Sequence, residues 1–214
     1  MRTNNNQRTV PKVYLIDDDP VVNYLLVDLV ESVNLPYVVF DSAVKFLEQN
    51  LEGLEGCIVT DLRMPGMSGL ELQEELHRRE VNLPIIFISG YAEVQSVVRA
   101  MRGGALDFFQ KPFSSQHLIE RIQDGLRIDR ERAELLARNR LIGERMALLT
   151  PREREVLQGI FEGKLTKVFA DELGIGVRTA ETYRQLIMQK LQAGSVAELV
   201  RIVVEAMPGK TPAL

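Results

Sequence analysis

The sequence is poor in the features that mark secreted or membrane-spanning chains. It holds one cysteine, Cys57, so no intrachain disulfide can form and a reducing compartment is expected. There is no run of 18 apolar residues, and no positively charged start leads into an apolar stretch. Neither a membrane span nor a signal peptide is expected, and the chain reads as cytoplasmic, with no membrane among its partners. Histidine is scarce too. His77 and His117 lie far apart in helical surface stretches and are read as neither metal ligands nor phosphodonors. A strong excess of positive charge is also missing. Residues 1–124 carry 11 Lys/Arg against 18 Asp/Glu, residues 125–146 carry 6 against 4, and residues 147–214 carry 9 against 8. The acidic first half argues against nucleic acid there, and the last part is too weakly basic for charge alone to suggest DNA.

What is present suits two domains: 214 residues with 45% apolar content can bury a sizeable core. Short apolar runs at 13–16, 37–40, 57–60 and 85–88, with a weaker one at 107–110, suit strands buried on both faces of a parallel sheet. Cys57 lies in one of them and reads as a packing residue rather than a reactive thiol. Helical spacing follows in Val22, Leu25, Leu26, Leu29, Val30 and Val33, in Leu70, Leu72 and Leu76, and in Val94, Val97, Val98 and Met101. Strand and helix alternate five times, which predicts a doubly wound α/β domain. A last helix starts at Leu118, Ile119, Ile122 and Leu126. No proline interrupts 117–146, so it is expected to continue as a long charged connector. Gly125 and Gly143 each weaken it by only about 1 kcal/mol.

Chemistry-bearing residues fall at the ends of the strand runs. Asp17-Asp18-Asp19 closes the first, Asp61 closes 57–60, Ser89 ends 85–88, and Lys111-Pro112-Phe113 follows 107–110. Strand ends of an open parallel sheet share one rim, where such folds place ligand sites. A carboxylate such as Asp61 can attack a phosphoryl group and hold it as a mixed anhydride. Several negative charges in one place need compensation. A hard cation such as Mg2+ would take oxygens from Asp17, Asp18, Asp61 and the backbone carbonyl of Arg63. Lys111 adds a fixed positive charge, and Ser89 a hydroxyl donor, for the transferred group. Each motif alone has a plainer reading. Asp17-Asp18-Asp19-Pro20 can cap a helix with Pro20 at its first position, Met64-Pro65-Gly66 is a turn, and Ser89-Gly90 is a second cap. Lys111-Pro112 alone is a strand-to-helix loop. Their joint occurrence at four strand ends favours a phosphate-accepting site, with Asp19 capping rather than ligating.

Residues 11–125 resemble the CheY-like receiver domain of two-component response regulators. The carriers are Ile16-Asp17-Asp18-Asp19, the run from Thr60 through Asp61 to Gly69, Ser89-Gly90, and the run from Gly104 to Lys111-Pro112-Phe113. The resemblance implies phosphorylation of Asp61 by a sensor histidine kinase with Mg2+, a switch pair of Ser89 and Phe108, and a cis Lys111-Pro112 bond. Phe108 stands where a tyrosine is common, and from its surroundings alone it could equally be ordinary core. The resemblance also implies a homodimer on phosphorylation, through the helix at 91–101 and the strand at 107–109.

After a helical linker at 126–146, residues 147–208 read as a small all-helical domain. Thr150-Pro151-Arg152-Glu153 is a helix start with cap, proline and acidic first turn. Gly163 stops that helix, a short one covers 166–173, a longer one 177–191 and a last one 196–206. Short helix, Gly-containing turn and longer helix form a helix-turn-helix pattern. On the longer helix Ala180, Tyr183, Ile187 and Leu191 share one side, while Arg178, Glu181, Thr182, Gln185 and Gln189 share the other. That polar face could simply be solvated. Glutamine nevertheless suits adenine edges and glutamate the cytosine amino group, while Lys167, Arg184 and Lys190 are placed to hold phosphates. Residues 147–206 resemble the DNA-binding domain of LuxR-type regulators through Leu149-Thr150-Pro151-Arg152-Glu153-Arg154-Glu155, Leu173-Gly174-Ile175, Arg178-Thr179-Ala180-Glu181 and Lys190-Leu191. Nearly the whole chain is thus similar to the FixJ branch of the NarL/FixJ response regulators. The implied function is a non-enzymatic transcription regulator, mostly an activator, that binds promoter DNA; RNA polymerase is a further partner open to it. Two other readings stay open: an output domain that grips protein, and an aspartate-nucleophile phosphohydrolase. The latter needs a second aspartate two residues after the nucleophile, where Arg63 stands.

Overall fold

A computed structural model describes residues 10–91 and 93–206, and the chain divides into one compact unit running to Ala133 and a second starting at Glu134. Strands β1 (Lys12–Ile16), β2 (Tyr37–Phe40), β3 (Gly56–Asp61), β4 (Ile85–Ser89) and β5 (Asp107–Gln110) form one parallel sheet in the order β2-β1-β3-β4-β5. Between them run α1 (Pro20–Glu31), α2 (Ala43–Glu48), α3 (Gly69–Arg78) and α4 (Val94–Arg102), and α5 (Ser115–Ala147) follows. This is the doubly wound fold the alternating pattern predicts.

The two faces of the sheet separate residue by residue. Tyr14, Ile16, Ile58, Ile85 and Phe87 enter one core with Phe46 of α2, Leu72 and Leu76 of α3 and Ala100 of α4. Their chain neighbours Val13, Leu15, Cys57, Val59, Ile86 and Ile88 enter the other with Leu26 and Val30 of α1 and Leu118 and Ile122 of α5. That period-two split over near-continuous apolar strands is what burial on both sides requires. The rim is punctuated by caps. Asp19 accepts the Val21 amide at 2.8 Å with Pro20 at the first helical position, and Ser68 and Glu71 form a reciprocal capping box on α3. Short α2 carries no spacing signal in the sequence; Ser42 caps it, and only Ala43, Phe46 and Leu47 are buried.

Helix α5 is continuous over 33 residues, matching the expected connector. Gly125, a weak helix former, is where α5 meets β3: a Cβ there would lie 2.6 Å from Cys57 Sγ. One turn on, buried Asp129 accepts the Gly56 amide at 2.7 Å at the start of β3. The second unit packs α6 (Pro151–Phe161), α7 (Thr166–Glu172), α8 (Val177–Leu191) and α9 (Val196–Ala206) around Val156, Leu157, Phe169, Ala180, Ile187, Leu191, Leu199 and Val203. Ile142 and Met146, inside the stretch read as linker, are buried in this same core. The end of the expected last domain, residues 207 and 208, lies outside the described residues. Among the described residues no helix is long and apolar enough to cross a membrane.

Asp129 gives a pH prediction. Burial raises its pKa above the ordinary carboxylate value, against the pull of the Gly56 amide and Arg132. An acid with a raised folded pKa contributes stability below its unfolded value and loses it as pH climbs through the folded one. Asp129→Asn, which keeps an acceptor for Gly56, is therefore expected to raise the thermal midpoint relative to wild type at pH 7. The gain should shrink towards pH 4, and melting curves across that range measure it.

Candidate functional site

Lys111, just past β5, reaches across the rim. Its Nζ lies 3.1 Å from Asp17 Oδ2, just past β1, and 3.0 Å from Asp61 Oδ1, at the end of β3. Both carboxylates are buried, at 1% and 8% exposure. Their other oxygens are taken by backbone: Asp17 Oδ1 accepts the Asp19 amide at 2.9 Å, and Asp61 Oδ2 accepts the Arg63 amide at 2.7 Å. Burial raises the pKa of Asp17, only partly offset by the Asp19 amide and Lys111, and the charge of Asp61 adds to the rise. Burial pulls the other way on Lys111, but the hydrogen bond to Asp61 and the charges of both acids carry its pKa above the ordinary value. The Lys111–Pro112 bond is cis, as the resemblance implies.

The remaining expected site residues are placed less simply. Ser89 ends β4 beside Asp61, but its Oγ donates to the Tyr91 carbonyl at 3.0 Å and accepts the Tyr91 amide at 3.2 Å, so the hydroxyl is engaged in its own loop. Asp18 is exposed, and among the described residues no three His, Cys, Asp or Glu side chains are grouped to hold a metal ion. Asp17 turns inward to Lys111 and the Asp19 amide, and the next residue, Asp18, faces solvent. Arg63 sends its guanidinium to Glu93, 5.9 Å from the centre of the Tyr91 ring. Phe108 is half-buried against the α2–α3–α4 core. The helix expected at 91–101 begins at Val94 with Glu93 as its cap residue; Ala92 lies outside the described residues.

Two neighbours of the site escaped sequence reasoning. Asn23 is buried on α1, and its Nδ2 donates to the Asp17 carbonyl at 2.6 Å, fixing the loop that carries Asp17. A polar residue on the row of Leu26 and Val30 was the available signal. Gly69 donates to the Leu62 carbonyl at 3.0 Å, and a Cβ on it would stand 2.4 Å from the Asp61 carbonyl oxygen. Helix α3 therefore starts against the backbone of Asp61.

In the second unit Ala180, Ile187 and Leu191 of α8 are buried and Tyr183 is half-buried, while Arg178, Glu181, Thr182, Gln185 and Gln189 are exposed. Lys167 is exposed, and Arg184 is half-buried beside Lys164 and Thr166. Lys190, expected on the phosphate side, turns inward. Its Nζ lies 2.7 Å from Glu153 Oε2, whose side chain is 4% exposed, and 3.1 Å from the Leu148 carbonyl. A buried carboxylate demands a partner, and Lys190 is within reach of it.

Comparison with known proteins accounts for both units. Residues 13–123 match the response regulator receiver domain, and residues 147–203 match the luxR family of bacterial regulatory proteins. A receiver joined to a LuxR-type helix-turn-helix defines a two-component response regulator with a DNA-binding domain. The transcriptional regulatory protein FixJ of Bradyrhizobium diazoefficiens is 39% identical over 195 residues, covering 91% of this chain and 95% of that one. FixJ of Azorhizobium caulinodans is 40% identical over 201 residues, 94% of each chain. Among solved structures, the response regulator StyR superposes with a TM-score of 0.83 at 40% identity, over 91% of this chain and 98% of that one. The chain belongs to the NarL/FixJ family of response regulators and is a FixJ-like transcription regulator.

Gly69→Ala tests the close approach to the Asp61 backbone. The added methyl has backbone to displace rather than a flexible side-chain tip, so a loss of about 1–3 kcal/mol is expected in urea unfolding.

Proposed function

We propose that Asp61 is the phosphoacceptor of a phosphorylation-controlled transcription factor. The observation that carries the reading is the Asp61 carboxylate held at the rim by the Lys111 ammonium beside a second buried acid, Asp17. A carboxylate oxygen of Asp61 attacks the phosphorus of a phosphohistidine on a sensor kinase; the O–P bond forms as the P–N bond breaks. Lys111 holds its positive charge towards the oxygens of the arriving group, and Ser89, once released from Tyr91, donates its hydroxyl to one of them. The oxygen chemistry of the rim suits Mg2+, with Asp17 and Asp61 as carboxylate ligands and Asp18 and the Arg63 carbonyl as further donors. Bound there, the cation would offset the charge gathered by the acids and the phosphoryl group.

Release of Ser89 from the Tyr91 backbone would couple the modified acid to the β4–α4 loop, with Phe108 as its switch partner. The exposed side chains of Val94, Val98 and Met101 on α4, next to β5, support that face as the dimer surface. Functional boundaries follow as 11–125 for the receiver, 126–146 for the linker and 147–208 for the DNA-binding domain. Glu181, Thr182 and Gln185 would face bases, with Arg178 and Gln189 on the same exposed face, and Lys167 and Arg184 would meet phosphates. Lys190 serves the fold. Activation of transcription through RNA polymerase is the expected output, in the cytoplasm, and the chain is not an enzyme in its own right: Arg63 stands where a phosphohydrolase would carry its acid–base aspartate.

With a phosphorylated donor and Mg2+, wild type should gain acid-labile phosphate and Asp61→Asn none; labelling of the variant would remove Asp61 from the role. On DNA, Gln185→Ala should change or weaken the footprint on a selected duplex by about 1–3 kcal/mol. An unaltered site and affinity would retire Gln185 as a base contact.

A further inference from the structure

The C-terminal end of α8 is held from outside the helix. The final carbonyls of any helix lack an intrahelical N–H partner, and here the cap residue Gln192 adopts the left-handed conformation at φ 55. Arg145, in the last turn of α5, answers both features. Its Nη1 donates to the Leu191 carbonyl at 3.4 Å and its Nη2 to Gln192 Oε1 at 2.5 Å. A cation at a helix C-terminus is also favoured by the aligned peptide dipoles. Just past α5, the Leu148 carbonyl accepts Lys190 of α8, and Ile142 and Met146 share a core with Ile187 and Leu191.

We propose that Arg145 is a positioning residue for DNA recognition, setting the tilt of α8 from its far end. It lies outside residues 147–203, those matched to the luxR family. The inference rests on the reading that the outer face of α8 meets bases. A helix of 15 residues is about 22 Å long, so a tilt of about 5° at Gln192 moves Arg178 by about 2 Å and Glu181 by about 1.5 Å. That shift exceeds the tolerance of a hydrogen bond to a base edge.

The test uses the full chain and a duplex selected by wild type from a random-sequence pool. Arg145→Ala should bind that duplex about fivefold or more weakly, with affinity for an unselected duplex and the slope of log affinity against log salt unchanged. Gln192→Ala, which removes one partner and leaves the Leu191 carbonyl, should lose less in the same direction. The double variant should be no worse than Arg145→Ala alone. Equal weakening on both duplexes, with the salt slope reduced by about one, would make Arg145 a phosphate contact and overturn the proposal. A lowered melting temperature with unchanged affinity of the folded protein would overturn it as well. Failure of wild type to select any duplex would instead bring down the reading of α8 as the DNA-binding element.

Discussion

One ammonium group shared by two buried acids organises the upper edge of the sheet. Removing Asp17 and Asp61 from water is costly unless each finds a partner, and Lys111 serves both. It can do so because the sheet order sets β3 between β1 and β4, while the long lysine stem spans the distance from β5. One cation against two anions leaves the rim short of positive charge; burial raises the pKa of Asp17, and the charge of Asp61 adds to the rise. A site in that condition favours further positive charge and disfavours a bare additional anion. The proposed acceptor role and the proposed divalent-ion site would thus have the same electrostatic origin.

The sheet was legible because its strands announce themselves twice, as runs of branched apolar residues and as chemistry at their ends. Residues 37–40 and 107–110 coincide with β2 and β5. The connector was legible through the lack of proline and the dense charge. Helix α2 was not, since six residues with three buried positions leave no period to detect. The convergence of Asp17, Asp61 and Lys111 could be inferred from strand ends, but the orientation of Ser89 and Asp18 could not. Whether a hydroxyl bonds its own loop or the neighbouring strand end is decided by backbone two residues away, which composition does not encode. Asn23 and Gly69 act through single close approaches, and such approaches are invisible to periodicity.

In the second unit the division of α8 into faces follows its 100° step, so Ala180, Ile187 and Leu191 could be assigned to the core from the sequence. Lys190 lies at the margin of that pattern, and its commitment to Glu153 spans 37 residues of chain. Local spacing cannot see such a pair. The same holds for the end of α5: Ile142 and Met146 look like continued connector, but tertiary packing makes them part of the DNA-binding unit. The physical border between linker and domain is thus set by which core receives a side chain rather than by where charge density changes.

Cys57 lies at the seam where α5 is seated on β3, wholly shielded, with burial pushing its thiol far above the usual range. Gly125 packs so tightly against it that an added Cβ would lie 2.6 Å from the sulfur. Alkylation or oxidation of the Cys57 thiol therefore requires helix and strand to part. The chain's lone thiol is a built-in clock for the breathing of that seam, silent while the two elements stay together.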